Sequence, residues 1–472
     1  MAAQNFLTAL FRKKFSFDDF GEHRLKPCLN AWDLTLLGIG GIIGTGIFVL
    51  TGIAAATQAG PGIVISFAVA GFACVCAALA YAELAASVGG CGSAYGYSYA
   101  AFGEIIAWII GWDLILEYGV GLAAVANGWS GYFSNALTAL GIGLPDVLTK
   151  GPAMDGIMNL PAVAIILILM ALLIVGVKES TRLNHAMVFV KLLTIVVFVT
   201  VAATHVHPEL WKPFLPFGWF SHVEGGKTIG VLAAASSVFF AYIGFDMVSV
   251  AAEETINPQK NVPLGILGSL GFCTMIYILV SGLLTGIVPY TTLNTPSPVA
   301  HALLLLGMNW ASALISAGVI AGLTSVLLVV YYGLTRVIFA MARDGLLPDF
   351  LGTVHTKTKT PVNTTVVCGV LVAVTAGFIP FGALVELVNV GTLAAFVLVC
   401  GGVIVMRVQH PTMPRPFKSP FGLLFPVMGI VSCGALIFFL PVVSQIRFLV
   451  WLAVGVVIYL LYSVKKSRLA PA

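Results

Sequence analysis

Residues 38–46 read Gly38-Ile39-Gly40-Gly41-Ile42-Ile43-Gly44-Thr45-Gly46 and lie inside an apolar stretch from about Leu34 to Ala56. Five glycines in nine positions make a poor helix, since each costs roughly 1 kcal/mol against alanine in a helix interior. Lipid offers exposed backbone no hydrogen bonds, so a helix broken at membrane depth must line a cavity. A second half-helix starting near Thr45 has free N–H groups at Gly44, Thr45 and Gly46, a small positive pole suited to a carboxylate. Interrupted helices of this kind are the sequence sign of a membrane carrier. The other reading of the same residues is that Gly40-x-x-x-Gly44 only lets two helices pack closely.

Composition fixes the class. Hydrophobic residues make up 59% of the 472, charged residues only 9%, and the mean hydropathy is +1.03. A spanning helix needs about 20 apolar residues. Twelve such stretches can be placed, at 33–56, 62–87, 103–135, 159–177, 184–204, 226–252, 262–287, 310–341, 363–379, 383–407, 422–440 and 446–464. The expected fold class is therefore an all-α polytopic membrane protein without a sizeable soluble domain. The N-terminus carries Arg12, Lys13 and Lys14 with no cleavable apolar region behind them. Phe6, Leu7, Leu10 and Phe11 suit either a short helix on the membrane surface or a disordered tail.

Placing both termini in the cytoplasm puts 18 of the 23 lysines and arginines on the inner side, four outside, and Lys191 within a helix. That bias follows the positive-inside rule, so the net charge of +4 reports topology and gives no sign of nucleic-acid binding. All eight cysteines lie in or beside apolar segments without zinc-ligand spacing and read as packing residues. No His-x-x-x-His pair or Ser/His/Asp grouping points to catalysis, so neither a metal, a cofactor nor an enzyme is expected.

A second interruption falls in the sixth span, where Phe240-Ala241-Tyr242-Ile243-Gly244-Phe245-Asp246 places a glycine and a carboxylate among apolar residues. It comes five spans after the first. Two five-helix units, 33–204 and 226–407, would then be repeats of odd helix number that insert with opposite topology and bring their breaks together. The segment 1–32 and the tail 465–472 would be cytoplasmic, and 422–464 two peripheral helices.

These stretches resemble a known family. Gly40-Gly41-Ile42-Ile43-Gly44-Thr45-Gly46-Ile47-Phe48-Val49-Leu50-Thr51-Gly52 is similar to the first-helix signature of the amino acid, polyamine and organocation superfamily. Phe240 to Asp246, with Glu253-Glu254-Thr255-Ile256-Asn257-Pro258 and Pro263, resembles its sixth helix and following loop. Arg336-Val337-Ile338-Phe339-Ala340-Met341-Ala342-Arg343-Asp344-Gly345-Leu346-Leu347-Pro348 resembles the end of its eighth helix. Together they look most like the cationic amino acid transporter branch, including its bacterial members. The resemblance implies a leucine-transporter-type fold, a 5+5 inverted repeat with helices 1 and 6 broken, twelve transmembrane helices in all. It also implies a substrate carboxylate on the N–H groups of Gly44, Thr45 and Gly46, beside Ile43. The ammonium would meet carbonyls of Ile42, Phe240, Ala241 and Ile243. Residues 322–332 would contribute to the side-chain pocket.

A charge near the bilayer centre costs at least ~2.5 kcal/mol, so buried ionisable residues are functional candidates by default. Lys191 lies about seven residues into its span, roughly 10 Å deep, either snorkelling to the headgroups or, as in proton-coupled relatives, replacing a bound sodium ion beside the first helix. Asp246 either caps the broken helix or receives the ammonium or a proton. Glu117 either faces the same cavity or pairs with another helix, while Glu83 and Glu386, nearer helix ends, read as structural. Among the aromatic candidates for gates, Phe240 stands out by its place in the break.

The resulting expectation is a plasma-membrane amino-acid transporter, proton-coupled through Lys191, Asp246 or Glu117, carrying small neutral or cationic L-amino acids by alternating access. Its partners would be the amino acid, protons, membrane lipid and, as a candidate, a small membrane subunit. A sodium-independent exchanger is the alternative within transport. From another class, a channel with a glycine-rich filter is disfavoured, since filters are built from rings of such loops.

Overall fold

Asn30 opens the first helix. Its side-chain oxygen accepts the N–H groups of Trp32 and Asp33 at 2.8 and 3.1 Å, while Asp33 accepts the Asn30 N–H at 3.0 Å, a reciprocal box that satisfies donors a helix start leaves free. The helix, α1 (Ala31–Ile42), ends at Ile43, whose backbone is extended. The chain resumes as a π-helical turn at Gly46–Leu50, a short α2 (Thr51–Ala54) and a second π-helical turn at Ala55–Ala59. The structure, a computed structural model, describes residues 10–12, 29–88, 93–175, 181–220, 222–224, 227–251, 255–356 and 360–468. The Phe6–Phe11 surface helix, the lysines at 13, 14 and 178 and the Glu253-Glu254 pair fall wholly or mostly outside them.

The remaining helices are α3 (Ile63–Val88), α4 (Ser93–Ala101), α5 (Glu104–Ala139), α6 (Leu160–Val175), α7 (Thr181–Ala203), α8 (Val231–Val238), α9 (Met247–Val250), α10 (Pro258–Ile287), α11 (Pro298–Leu305), α12 (Asn309–Arg343), α13 (Val362–Phe378), α14 (Phe381–Gln409), α15 (Leu424–Phe439), α16 (Val442–Ile458) and α17 (Val464–Lys466). Among the described residues, eight helices are long and apolar enough to cross a membrane, and four shorter apolar ones, α1, α6, α13 and α15, accompany them. The chain is a multi-pass all-α membrane protein. No signal in the sequence marked the short helices α4 and α11 or the antiparallel pairing of His222–Glu224 with Lys227–Ile229, because none spans a bilayer.

Long α10 packs against both α3 and α1, while α12 lies along α5 and α7. The fourteenth helix, α14, joins α5 to α15. Both broken segments are thereby surrounded by intact helices. A parallel bridge between Leu29 and Thr255, with the Ile256 N–H on the Leu29 carbonyl at 2.8 Å, ties the approach to the first break to the exit from the second.

Glu83, near the end of α3, is almost wholly buried and accepts from both Arg407 Nε and Nη2, at 2.8 and 2.5 Å, and from the Ser419 N–H at 2.8 Å. Arg415 lies 3.7 Å away. Glu386 takes a single hydroxyl, from Ser444 at 2.6 Å. Removing one member of a buried ion pair leaves the other charge without compensation, at a cost of about 3 kcal/mol or more, against about 1 kcal/mol for a neutral hydrogen bond. Glu83→Ala is expected to lower the thermal unfolding midpoint of the detergent-purified protein far more than Glu386→Ala, and equal shifts would show that the Glu83 pair adds nothing to stability.

Candidate functional site

An α-helix leaves its last carbonyls and first N–H groups unpaired, so each break exposes a set of backbone groups that something must satisfy. In the first break Ile43 still donates to Ile39 at 3.0 Å, and the next donor in the ladder is Phe48, reaching Gly44 at 3.5 Å. The N–H groups of Gly44, Thr45 and Gly46 lie between, outside the ladder. Of the carbonyls freed at the end of α1, Gly40 accepts the Lys191 ammonium at 2.6 Å and Ile42 the Tyr277 hydroxyl at 2.8 Å.

The second break runs from α8 through a 3-10 turn at Phe239–Tyr242 to an extended Ile243 and then Gly244, at φ +111°. Asn389 on α14 donates to the Ser236 and Ser237 carbonyls at 2.9 Å each, and the Phe240 carbonyl takes the Ile243 N–H at 3.3 Å. The Ala241 carbonyl lies 2.8 Å from the same Tyr277 hydroxyl that meets Ile42.

The breaks touch backbone to backbone. A Cβ on Gly244 would stand 3.0 Å from the Gly41 carbonyl, and one on Gly46 would stand 2.3 Å from the Ala241 Cα. Glycine is required at these two contacts: at Gly244 also by its positive φ, at Gly46 by the approach alone. Gly44 is different, since its Cβ would make only ordinary contacts, with the Val326 side chain at 3.8 Å and the Ile42 carbonyl at 4.0 Å.

Between the breaks lies a small cavity of about 40 Å³. Gly41, Ile42, Gly44, Thr45 and Gly46 form one wall, and Phe240, Ile243, Gly244 and Met247 a second. Glu117, Tyr118, Gly121 and Val125 of α5, with Val326 and Val330 of α12, complete it. Ile43 and Ala241 sit just behind the wall, fully buried. Among the described residues, Glu117 is the one ionisable acid or base on it. Asp246 stands behind, its Oδ2 accepting the Tyr118 hydroxyl at 3.1 Å. Lys191 is also off the wall, buried against α12, where a Cβ on Gly322 would meet its side chain at 2.8 Å. The structure thus gathers the backbone candidates and Glu117 around one space and sets Asp246 and Lys191 in the layer that supports it.

Sequence reasoning did not single out Tyr118, Tyr277, Asn389 or Asp113. Asp113, one helical turn before Glu117, is buried and pressed by Gly391, where a Cβ would stand 2.5 Å from its Oδ1. Asp113 Oδ1, Glu117 Oε1 and Asp246 Oδ1 have no hydrogen-bond partner among the described residues. A signal was present: residues 113, 117, 121 and 125 repeat every four positions, a stripe on one helix face that is acidic at one end and open at Gly121.

A multi-pass membrane protein whose two interrupted helices meet at a central cavity is built as a carrier. Residues 29–462 match the amino acid permease family, and the chain belongs to it, within the amino acid, polyamine and organocation superfamily. It is a membrane transporter and not an enzyme. It shares 50% identity over 471 residues with the branched-chain amino acid permease BcaP of Bacillus subtilis, covering 98% of this chain and 99% of the relative. The methylthioribose transporter of the same organism is 47% identical, covering 98% and 100%. Human cationic amino acid transporter 4 is 39% identical over 413 residues, which cover 84% of this chain and 63% of the relative. The expected place in the cationic branch is thus not where these higher identities fall.

The contacts around the two nearby glycines separate their roles. Gly46→Ala is expected to abolish amino-acid binding to the purified protein, because its methyl collides with Ala241, whereas Gly44→Ala should change affinity by less than about tenfold, its methyl making only an ordinary contact. Retained affinity in Gly46→Ala, measured by equilibrium binding, would show that the breaks need not touch for binding.

Proposed function

We propose that this permease is a proton-coupled symporter of aliphatic L-amino acids in a bacterial plasma membrane. The observation that carries the substrate reading is the cavity wall. Val125, Phe240, Ile243, Met247, Val326 and Val330 offer apolar surface, and Glu117 is, among the described residues, its one ionisable acid or base. An apolar side chain gains by burial there, while a cationic one would have a single carboxyl to meet. The likeness to a branched-chain permease supports the same choice.

In this reading the substrate carboxylate sits on the N–H pole at Gly44, Thr45 and Gly46, and its ammonium on carbonyls at Ile42, Phe240, Ala241 and Ile243. The fold is a 5+5 inverted repeat of twelve spans, 33–204 and 226–407, with peripheral helices in 422–464 and both termini cytoplasmic. Closure of the broken segments on the head group favours an occluded state, and alternating access follows as one repeat moves against the other.

Coupling is assigned to Lys191, Asp246 and Glu117. The Lys191–Gly40 bond at 2.6 Å fastens α7 to the first break. A charged donor makes that bond stronger than a neutral one. Loss of the proton would loosen the fastening and permit the conformational change. Glu117 and Asp246, each with an unpartnered oxygen, are the acids placed to exchange protons with the cavity.

A cationic substrate is the second reading, favoured by Glu117 on the wall and by the cationic relatives. Uptake into proteoliposomes of labelled leucine, isoleucine, alanine, arginine and methylthioribose, with and without an inward proton gradient, separates these readings. The aliphatic amino acids should accumulate only with the gradient, and arginine and methylthioribose should not. Lys191→Ala should lose gradient-driven accumulation and keep some downhill exchange. Normal accumulation by that variant would remove Lys191 from coupling, and arginine accumulation prevented by Glu117→Gln would establish the cationic reading.

A further inference from the structure

Five glycines lie along α5, and the space around them differs. A Cβ on Gly128 would collide with the Thr45 side chain, one on Gly131 would stand 2.7 Å from Pro296 and one on Gly111 2.7 Å from Met341. These three let other segments press against the helix. Gly119 would make an ordinary contact with Leu334 at 3.9 Å. At Gly121 a Cβ would find no neighbour within 4 Å beyond its own stretch of backbone, and this glycine lies on the cavity wall. Glycine is less favourable than alanine in a helix interior, and no packing contact at Gly121 offsets that. What it supplies is room.

Helices α5 and α12 run antiparallel and meet on either side of the cavity. Toward one end the Trp129 Nε1–H donates to the Thr324 hydroxyl at 2.9 Å. Toward the other, Gly119 faces Leu334, and a Cβ on Gly333 would stand 3.7 Å from the Tyr118 ring. That register sets Gly121 and Val125 opposite the stretch of α12 that carries Val326 and Val330, and all four line the cavity. Val326 is the α12 residue beside Gly44, and Val330 lies one turn on, about 6 Å along the axis. On α5, Gly128 abuts Thr45, while Gly121 lies about two turns back, toward Tyr118 and its bond to Asp246. Both walls thus place the room at Gly121 away from the N–H pole, at a distance that the side chain of leucine covers and the methyl of alanine does not.

We propose that Gly121 sets the size of side chain this permease accepts: having none of its own, it opens a recess between α5 and α12 that takes the branched end of an aliphatic amino acid. The inference rests on the aliphatic reading given under Proposed function and adds the position that decides how large the side chain can be. In a cavity of about 40 Å³, a methyl group at residue 121 removes room that the ligand needs and presses on nothing in the protein. The fold and the site therefore respond to that methyl in opposite directions.

Equilibrium binding of leucine and of alanine to purified wild-type, Gly121→Ala and Gly121→Val protein, read beside thermal unfolding in detergent, tests this. Gly121→Ala should unfold at a temperature no lower than wild type. It should bind leucine roughly tenfold more weakly and alanine within about twofold of wild type, and Gly121→Val should widen the difference. Adding Val330→Ala to Gly121→Ala takes methyl groups off the facing wall and should return leucine affinity to within about threefold of wild type. Equal weakening of leucine and alanine, unchanged leucine affinity, or a double variant that still prefers alanine overturns the proposal. A marked fall in the unfolding temperature of Gly121→Ala also overturns it, by showing that residue 121 is a packing position. Should Gly121→Val not fold, the alanine variant and its double variant decide the matter. Wild-type protein that binds neither amino acid refutes the aliphatic reading itself, and the recess with it.

Discussion

Backbone groups at membrane depth must find partners inside the protein, and two helices that stop in mid-membrane turn that requirement into architecture. Each break frees carbonyls that its own helix cannot satisfy. Lys191 from α7 takes Gly40, Tyr277 from α10 takes Ile42 and Ala241, and Asn389 from α14 takes Ser236 and Ser237. Three intact helices are thereby bound to the broken pair by bonds that no apolar contact could replace. The N–H groups of Gly44 to Gly46 lie outside the ladder, and these three residues line the cavity. In the proposed reading the protein supplies donors for the carbonyls, and a ligand carboxylate completes the set at the N–H pole.

The same logic governs the acids. Asp113, Glu117 and Asp246 are buried, and each keeps an oxygen without a partner among the described residues. Lys191 donates to the Gly40 carbonyl, in the first break. Asp246 lies in the second break itself, where the Tyr118 hydroxyl ties it to α5, while Asp113 and Glu117 stand on α5.

The sequence was most informative where the chain departs from a regular helix. Glycine density at 38–46 and the Gly244-Phe245-Asp246 interruption point to the two positions where the backbone becomes extended, Ile43 and Ile243. Span limits followed from apolar length, so 262–287 and 363–379 differ by only a few residues from α10 and α13. What stayed hidden was partnership across the fold. Nothing near Tyr277 or Asn389 shows that their hydrogen bonds go to carbonyls 36, 153 and 235 positions away. Two features limited the reading of the substrate side chain. The apolar wall is assembled from three separate stretches, in α5, the second break and α12, and apolar residues in an apolar helix carry no distinguishing mark.

A structure of the protein with leucine bound would bear most directly on the idea that the two breaks form one head-group site. The carboxylate should lie within hydrogen-bond distance of the N–H groups of Gly44, Thr45 and Gly46, with the ammonium on break carbonyls and the side chain against Val326 and Val330. Leucine bound elsewhere, with the N–H pole untouched, would contradict it.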